Sequence, residues 1–176
     1  MKKERVLERQ YRMLSHLSHL PRRILSLAGT DNITEFVLYD LCGKDCFNLK
    51  KAAYFIDNPD FNCLKGIAGF SHQEADACSN KWQEPDTFTC YMRECPFNKQ
   101  VREVQRCSVK GAKESDEQIA SDIARSLGFS KHKFCSWNMK HDNHGFFIYE
   151  PADEDDSVSD EYLLNGLCML SFCPVF

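Results

Sequence analysis

The sequence predicts an α+β fold in a single domain, residues 1–176, with a mostly antiparallel sheet or barrel flanked by two helices. Three observations predict it. Apolar residues recur at three- and four-residue steps over 3–20 and 116–127, the period of an amphipathic helix. Several short runs rich in β-branched and aromatic residues lie between turn residues and read as strands. Those runs do not alternate with helices, as a doubly wound parallel sheet would require. With 43% apolar residues and thirteen Phe, the chain can close one core without staples. The organisation expected is an N-terminal helical segment (1–25), a β-rich core (34–150) and an acidic loop (151–161).

In chain order, Leu7, Tyr11, Leu14, Leu17 and Leu20 form the apolar face of the first helix, which Pro21 should stop. Residues 35–42 (Glu-Phe-Val-Leu-Tyr-Asp-Leu-Cys) read as a strand, and Lys51 to Asp57 as a second, closed by Asn58-Pro59-Asp60. Cys63 to Phe70 is a third, in which Gly66 and Gly69 imply a kink, a bulge or a close neighbouring backbone. Gln73 to Asp86 is polar and reads as a loop, and Thr87 to Met92 with Val101 to Val109 as a further strand pair. The helix over Asp116 to Leu127 carries the fullest set of signals. Ser115 can cap it, Gln118 completes a capping box, Asp116 and Glu117 suit its positive end, and Gly128 supplies a left-handed stop. Phe134 to Asn138 and Gly145 to Tyr149 read as strands around the polar turn at 140–143. Tyr162 to Val175 is too apolar to be free, and its pattern favours neither helix nor strand.

No run of about 18 apolar residues exists to span a bilayer, and the basic N-terminus lacks the apolar stretch of a secretory signal. A cytoplasmic protein without a membrane partner is expected. The net charge of −4 is unevenly spread. Residues 1–23 hold seven Lys/Arg against Glu4 and Glu8, whereas 141–176 hold no Lys or Arg. The basic helix and the acidic 152–161 loop can attract each other or each face a protein partner. An acidic chain is a poor match for nucleic acid. Asp153 to Asp156 lacks the spacing and glycine of a calcium loop and reads as a solvated charge run.

Ten cysteines in a chain without an export signal imply reduced thiols. Cys42/Cys46, Cys90/Cys95 and Cys168/Cys173 are close pairs, but no Cys-x-x-Cys occurs, so a structural zinc site is the lesser expectation. Most cysteines lie in apolar runs, where the thiol packs as a small hydrophobe. Neither Gly-x-Ser-x-Gly nor a phosphate-cradling glycine loop is present, since Gly66-Ile67-Ala68-Gly69 is too short and apolar.

The histidines carry the remaining chemistry. His16 and His19 alternate with core leucines and are expected on the wet side of the first helix. His72 and Glu74 form His-x-Glu after an apolar strand, and on an extended strand end both would point the same way. His132, His141 and His144 lie later. Two histidines and one carboxylate make a facial site for ferrous iron. In these residues, over about 64–150, the chain resembles the iron(II)/2-oxoglutarate-dependent oxygenases, with their His-x-Asp/Glu … His motif. The resemblance implies a double-stranded β-helix (jelly-roll-like) barrel, and iron(II) and 2-oxoglutarate as cofactors. It implies metal ligation by His72, Glu74 and His141, or by His132 or His144 in its place. The family's co-substrate cation follows the distal histidine, so Lys140 takes that role only if His132 is the ligand. Glu74 stands where the family favours Asp. The alternatives are a non-catalytic protein-interaction or regulatory domain, which needs no cofactor, and a structural zinc protein.

Overall fold

Strand β1 (Leu49–Asn58) is the centre of the sheet. It pairs antiparallel with β2 (Cys63–Ser71) on one side and with β5 (His144–Pro151) on the other. The two-residue β3 (Gln105–Arg106) extends β2, and β4 (Lys133–Asn138) extends β5, giving the order β3-β2-β1-β5-β4. This computed structural model describes residues 2–75, 80–153 and 160–173. Of the two architectures expected, the antiparallel sheet is the one these residues form. It is open, with β3 and β4 at its edges.

Alternation along the strands divides the interior in two. Ala52 and Tyr54 of β1, Phe70 of β2 and Phe147 and Tyr149 of β5 point into the larger core. Ala53 and Phe55, with Phe146 and Ile148, point into a smaller one on the opposite face. Helices α1 (Lys2–Ser26), α2 (Ile33–Cys42), α4 (Pro85–Glu94) and α7 (Asp160–Leu167) cover the larger core. Helices α5 (Pro96–Glu103) and α6 (Asp116–Ser126) cover the smaller one through Phe97, Val101, Ile119 and Ile123. Helix α5 packs on β2 because Gly66 and Gly69 have no side chains. A Cβ on Gly66 would lie 1.8 Å from the Val101 carbonyl oxygen, and one on Gly69 would lie 2.7 Å from Val101 Cγ2. The close approach read from those two glycines is therefore made by a helix.

The α6 expectations hold in detail. Ser115 Oγ accepts a hydrogen bond from the Gln118 amide, and Gly128 adopts φ +67°. The ammonium of Lys51 on β1 then donates to the carbonyls of Leu127 and Gly128 at 2.8 and 3.0 Å. It lies 4.5 Å from the centre of the Phe97 ring, so one lysine ties β1, α5 and the end of α6 together. The turn after β4 places His141 and Asp142 both at positive φ, the geometry that joins tight hairpins.

Five expectations are corrected. Residues 35–42 are helical, because α2 is buried along its whole length, and a helix buried on every side has no solvent face to reveal its period. Pro21 lies inside α1, on its exposed side, where water can satisfy the carbonyl that proline leaves bare. Thr87 to Met92 belongs to α4, which Pro85 opens from the first turn. Val101 to Val109 spans the end of α5, then β3 and the start of a 3-10 turn at Val109–Gly111. The loop expected over 73–86 contains a short helix, α3 (His72–Ala75), and the start of α4, while 76–79 lie outside the described residues. The apolar C-terminal segment forms α7 and a 3-10 helix at Cys168–Phe172. Most of the acidic loop, 154–159, lies outside the described residues. No helix among the described residues is long and apolar enough to cross a membrane.

Candidate functional site

The register of the sheet locates the residues of the oxygenase-like motif. His72 follows Ser71, which is opposite Lys51 near the start of β1. His144 is opposite Asp57, near the end of β1, and His141 is in the adjoining turn. Six residues of strand separate those positions, about 20 Å. His132 precedes Lys133, at the same end of the sheet as His72, but β4 is three strands away from β2. Its Nε2 is 3.2 Å from Ser121 Oγ. Lys140 is in the far turn, beyond Asn138.

His72 and Glu74 are on the helical turn α3 rather than an extended strand. On a helix, side chains at i and i+2 do not share a face. The Glu74 carboxylate instead accepts the thiol hydrogen of Cys95 at 2.7 Å, and its carbonyl accepts the hydroxyl of Tyr91. The fold thus does not gather His72, Glu74 and a distal histidine around one point. Among the described residues, no group of three or more His, Cys, Asp or Glu is placed to hold a metal ion.

The cysteines are free thiols among the described residues. Cys42, Cys46, Cys95 and Cys173 are buried in the larger core. Burial pushes the Cys46 thiol up to about 12 and the Cys95 thiol up to about 11, so both are protonated at neutral pH.

Helix α1 carries three separate stripes. Met13 and Leu20 are buried, with Leu17 and Ile24 packed beside them. A second stripe faces solvent: Leu7 is 64% exposed, Tyr11 75%, Leu14 46% and Leu25 74%. These residues continue a four-three alternation through Ser18 and Pro21, the spacing of a seam that meets another helix. Of the single apolar face expected, Leu17 and Leu20 are packed inside, whereas Leu7, Tyr11 and Leu14 are exposed. The interleaved run Met13, Leu17, Leu20, Ile24 has the same spacing and is the one that packs into the larger core, where α1 meets α2. Arg22 lies beside the exposed stripe, and the charge of Asp153, at the start of the acidic segment, favours the charged form of Arg9.

The third stripe surrounds Asp40 of α2, whose side chain is only 2% exposed. Arg23 and Trp82 donate to its Oδ2 at 2.8 and 2.7 Å, Lys81 reaches Oδ1 at 2.6 Å, and His16 Nε2 is 3.5 Å from Oδ2. Burial alone would raise this carboxyl, but His16, Lys81 and Trp82 outweigh it and hold it well below the usual carboxylate range. Nothing in the sequence singled out Asp40, whose partners come from α1 and the turn at 80–83, remote in sequence and brought together only by the fold.

No known protein family, curated protein or solved structure matches this chain.

Proposed function

We propose that the chain is a protein-interaction domain that receives an amphipathic helix of another protein along the outer face of α1. The observation that carries this reading is the exposed stripe of Leu7, Tyr11, Leu14 and Leu25. Contiguous apolar surface on a helix whose other side is already packed marks a surface that a partner covers. Charge selects the partner. Residues 1–23 hold seven Lys/Arg against Glu4 and Glu8, so two copies of α1 laid together would repel. A helix with an apolar stripe and acidic flanks fits instead. Helix α7 meets α1 at its buried stripe, where a Cβ on Gly166 would be 3.3 Å from Leu17 Cδ2, and so leaves the outer stripe to the partner.

The test is photo-crosslinking in cells. A photoreactive residue at Tyr11 or Leu25 is expected to capture one protein through an acidic amphipathic segment, whereas one at Glu117, on the opposite face of the sheet, captures none. Leu7→Lys with Leu14→Lys should reduce that capture about tenfold or more while leaving the melting temperature unchanged. Crosslinks to a second copy of the chain, or equal capture from position 117, would overturn the reading.

A further inference from the structure

We propose that the recess beside Asp40 binds the phosphate group of a small phosphate monoester. Asp40 is a single buried carboxylate, yet two permanently charged groups, Arg23 and Lys81, both bond to it, and His16 stands at 3.5 Å. A surplus of positive charge is therefore fixed around one buried carboxylate, with Lys81 16% and Arg23 39% exposed, and it attracts a further anion.

A recess of about 360 Å³ opens onto this surplus, lined by Arg12, His16, His19, Arg23 and one carboxylate, Asp45. With Lys81 behind, three permanent cations face Asp40 and Asp45, so the balance stays positive even with both histidines neutral. The geometry is prepared for an oxyanion. Arg23 spends one nitrogen on Asp40 and is set 5.7 Å over the Trp82 ring, leaving other N–H groups of its fork for a ligand. His19 Nδ1 is 2.6 Å from the Ser15 carbonyl, a contact that needs a proton on Nδ1 and frees Nε2. The volume is at the lower end for small-molecule sites, and the exposed ring of Tyr11 at the rim offers a flat surface to an organic body. This stripe shares only Tyr11 with the surface given to the partner helix, and the inference does not rest on that helix.

Calorimetric titration of the full chain at constant ionic strength tests it, with inorganic phosphate and phenyl phosphate as probes. Saturable one-to-one binding of phosphate is expected, with phenyl phosphate tighter. Arg12→Gln should weaken both by about tenfold, the order of one charge-assisted contact. Asp45→Asn should tighten both, a gain that damage to the fold does not mimic. Tyr11→Ala should remove the preference for phenyl phosphate and leave phosphate unchanged. Absence of saturable phosphate binding would overturn the proposal. So would affinities that Arg12→Gln and Asp45→Asn both leave unchanged.

Discussion

At the scale of single residues, Asp40 is the most committed charge in the protein. Its carboxylate serves Arg23, Lys81 and Trp82 at once from a buried position on α2. Asp40→Asn leaves those cations facing a neutral amide and should cost about 2–4 kcal/mol, measured by chemical denaturation. The pH dependence has a definite sign. The folded-state pKa of Asp40 lies below its unfolded value, which is about 4. Its stabilisation is therefore complete above that value and is lost as pH falls towards the folded one. Below about pH 4 the gap between wild type and Asp40→Asn should shrink. A gap that instead widens in acid would show that Asp40 is not held in its charged form. The buried thiols behave in the opposite way: burial raises Cys46, Cys135 and Cys173 to about 12, so none of these is a nucleophile at neutral pH.

Among the elements, the contact between β2 and α5 is the tightest. Gly66→Ala should cost about 3 kcal/mol, because the added carbon meets the Val101 backbone rather than a side chain that can turn aside. Thermal unfolding of this variant beside Gly111→Ala, where only the Asn62 side chain is near at 4.0 Å, separates crowding from any general effect of losing a glycine. Legibility also divides by element. Helix α6 and strands β1, β2, β4 and β5 were readable because cap, period and turn residues agreed at each. Helix α2 was not: with every residue buried, its composition reflects its surroundings rather than its own period, and β-branched and aromatic residues then mimic a strand. The site was less legible still. Two stripes of α1 share one spacing, and only the packing of Met13 and Leu20 into the larger core, beside α2, decides which is inside. His72 lies apart from His141 and His144 because sheet register puts them at opposite ends of β1, and its turn into α3 sets Glu74 on another face; residue types mark neither.

For the molecule as a whole, two cores share one sheet, and β1 contributes alternate side chains to both. Neither core should survive loss of the other. Ile123→Ala, in the smaller core, should cost about 2–4 kcal/mol. Both tryptophans belong to the larger core, so their fluorescence reports from the other side of the sheet. The fluorescence and far-ultraviolet dichroism transitions of this variant should coincide and shift together. An unmoved fluorescence transition would mean that the faces unfold independently.

The place of β1 also bears on how the chain is made. Its hairpin with β2 can close early, but its other edge waits for β5, and the Lys50–Glu150 ion pair joins residues 100 positions apart. A nascent chain emerging from the ribosome must carry that bare edge through most of its remaining synthesis. Premature termination before residue 144 would strand it permanently, so shortened products of this chain should be the ones that clump.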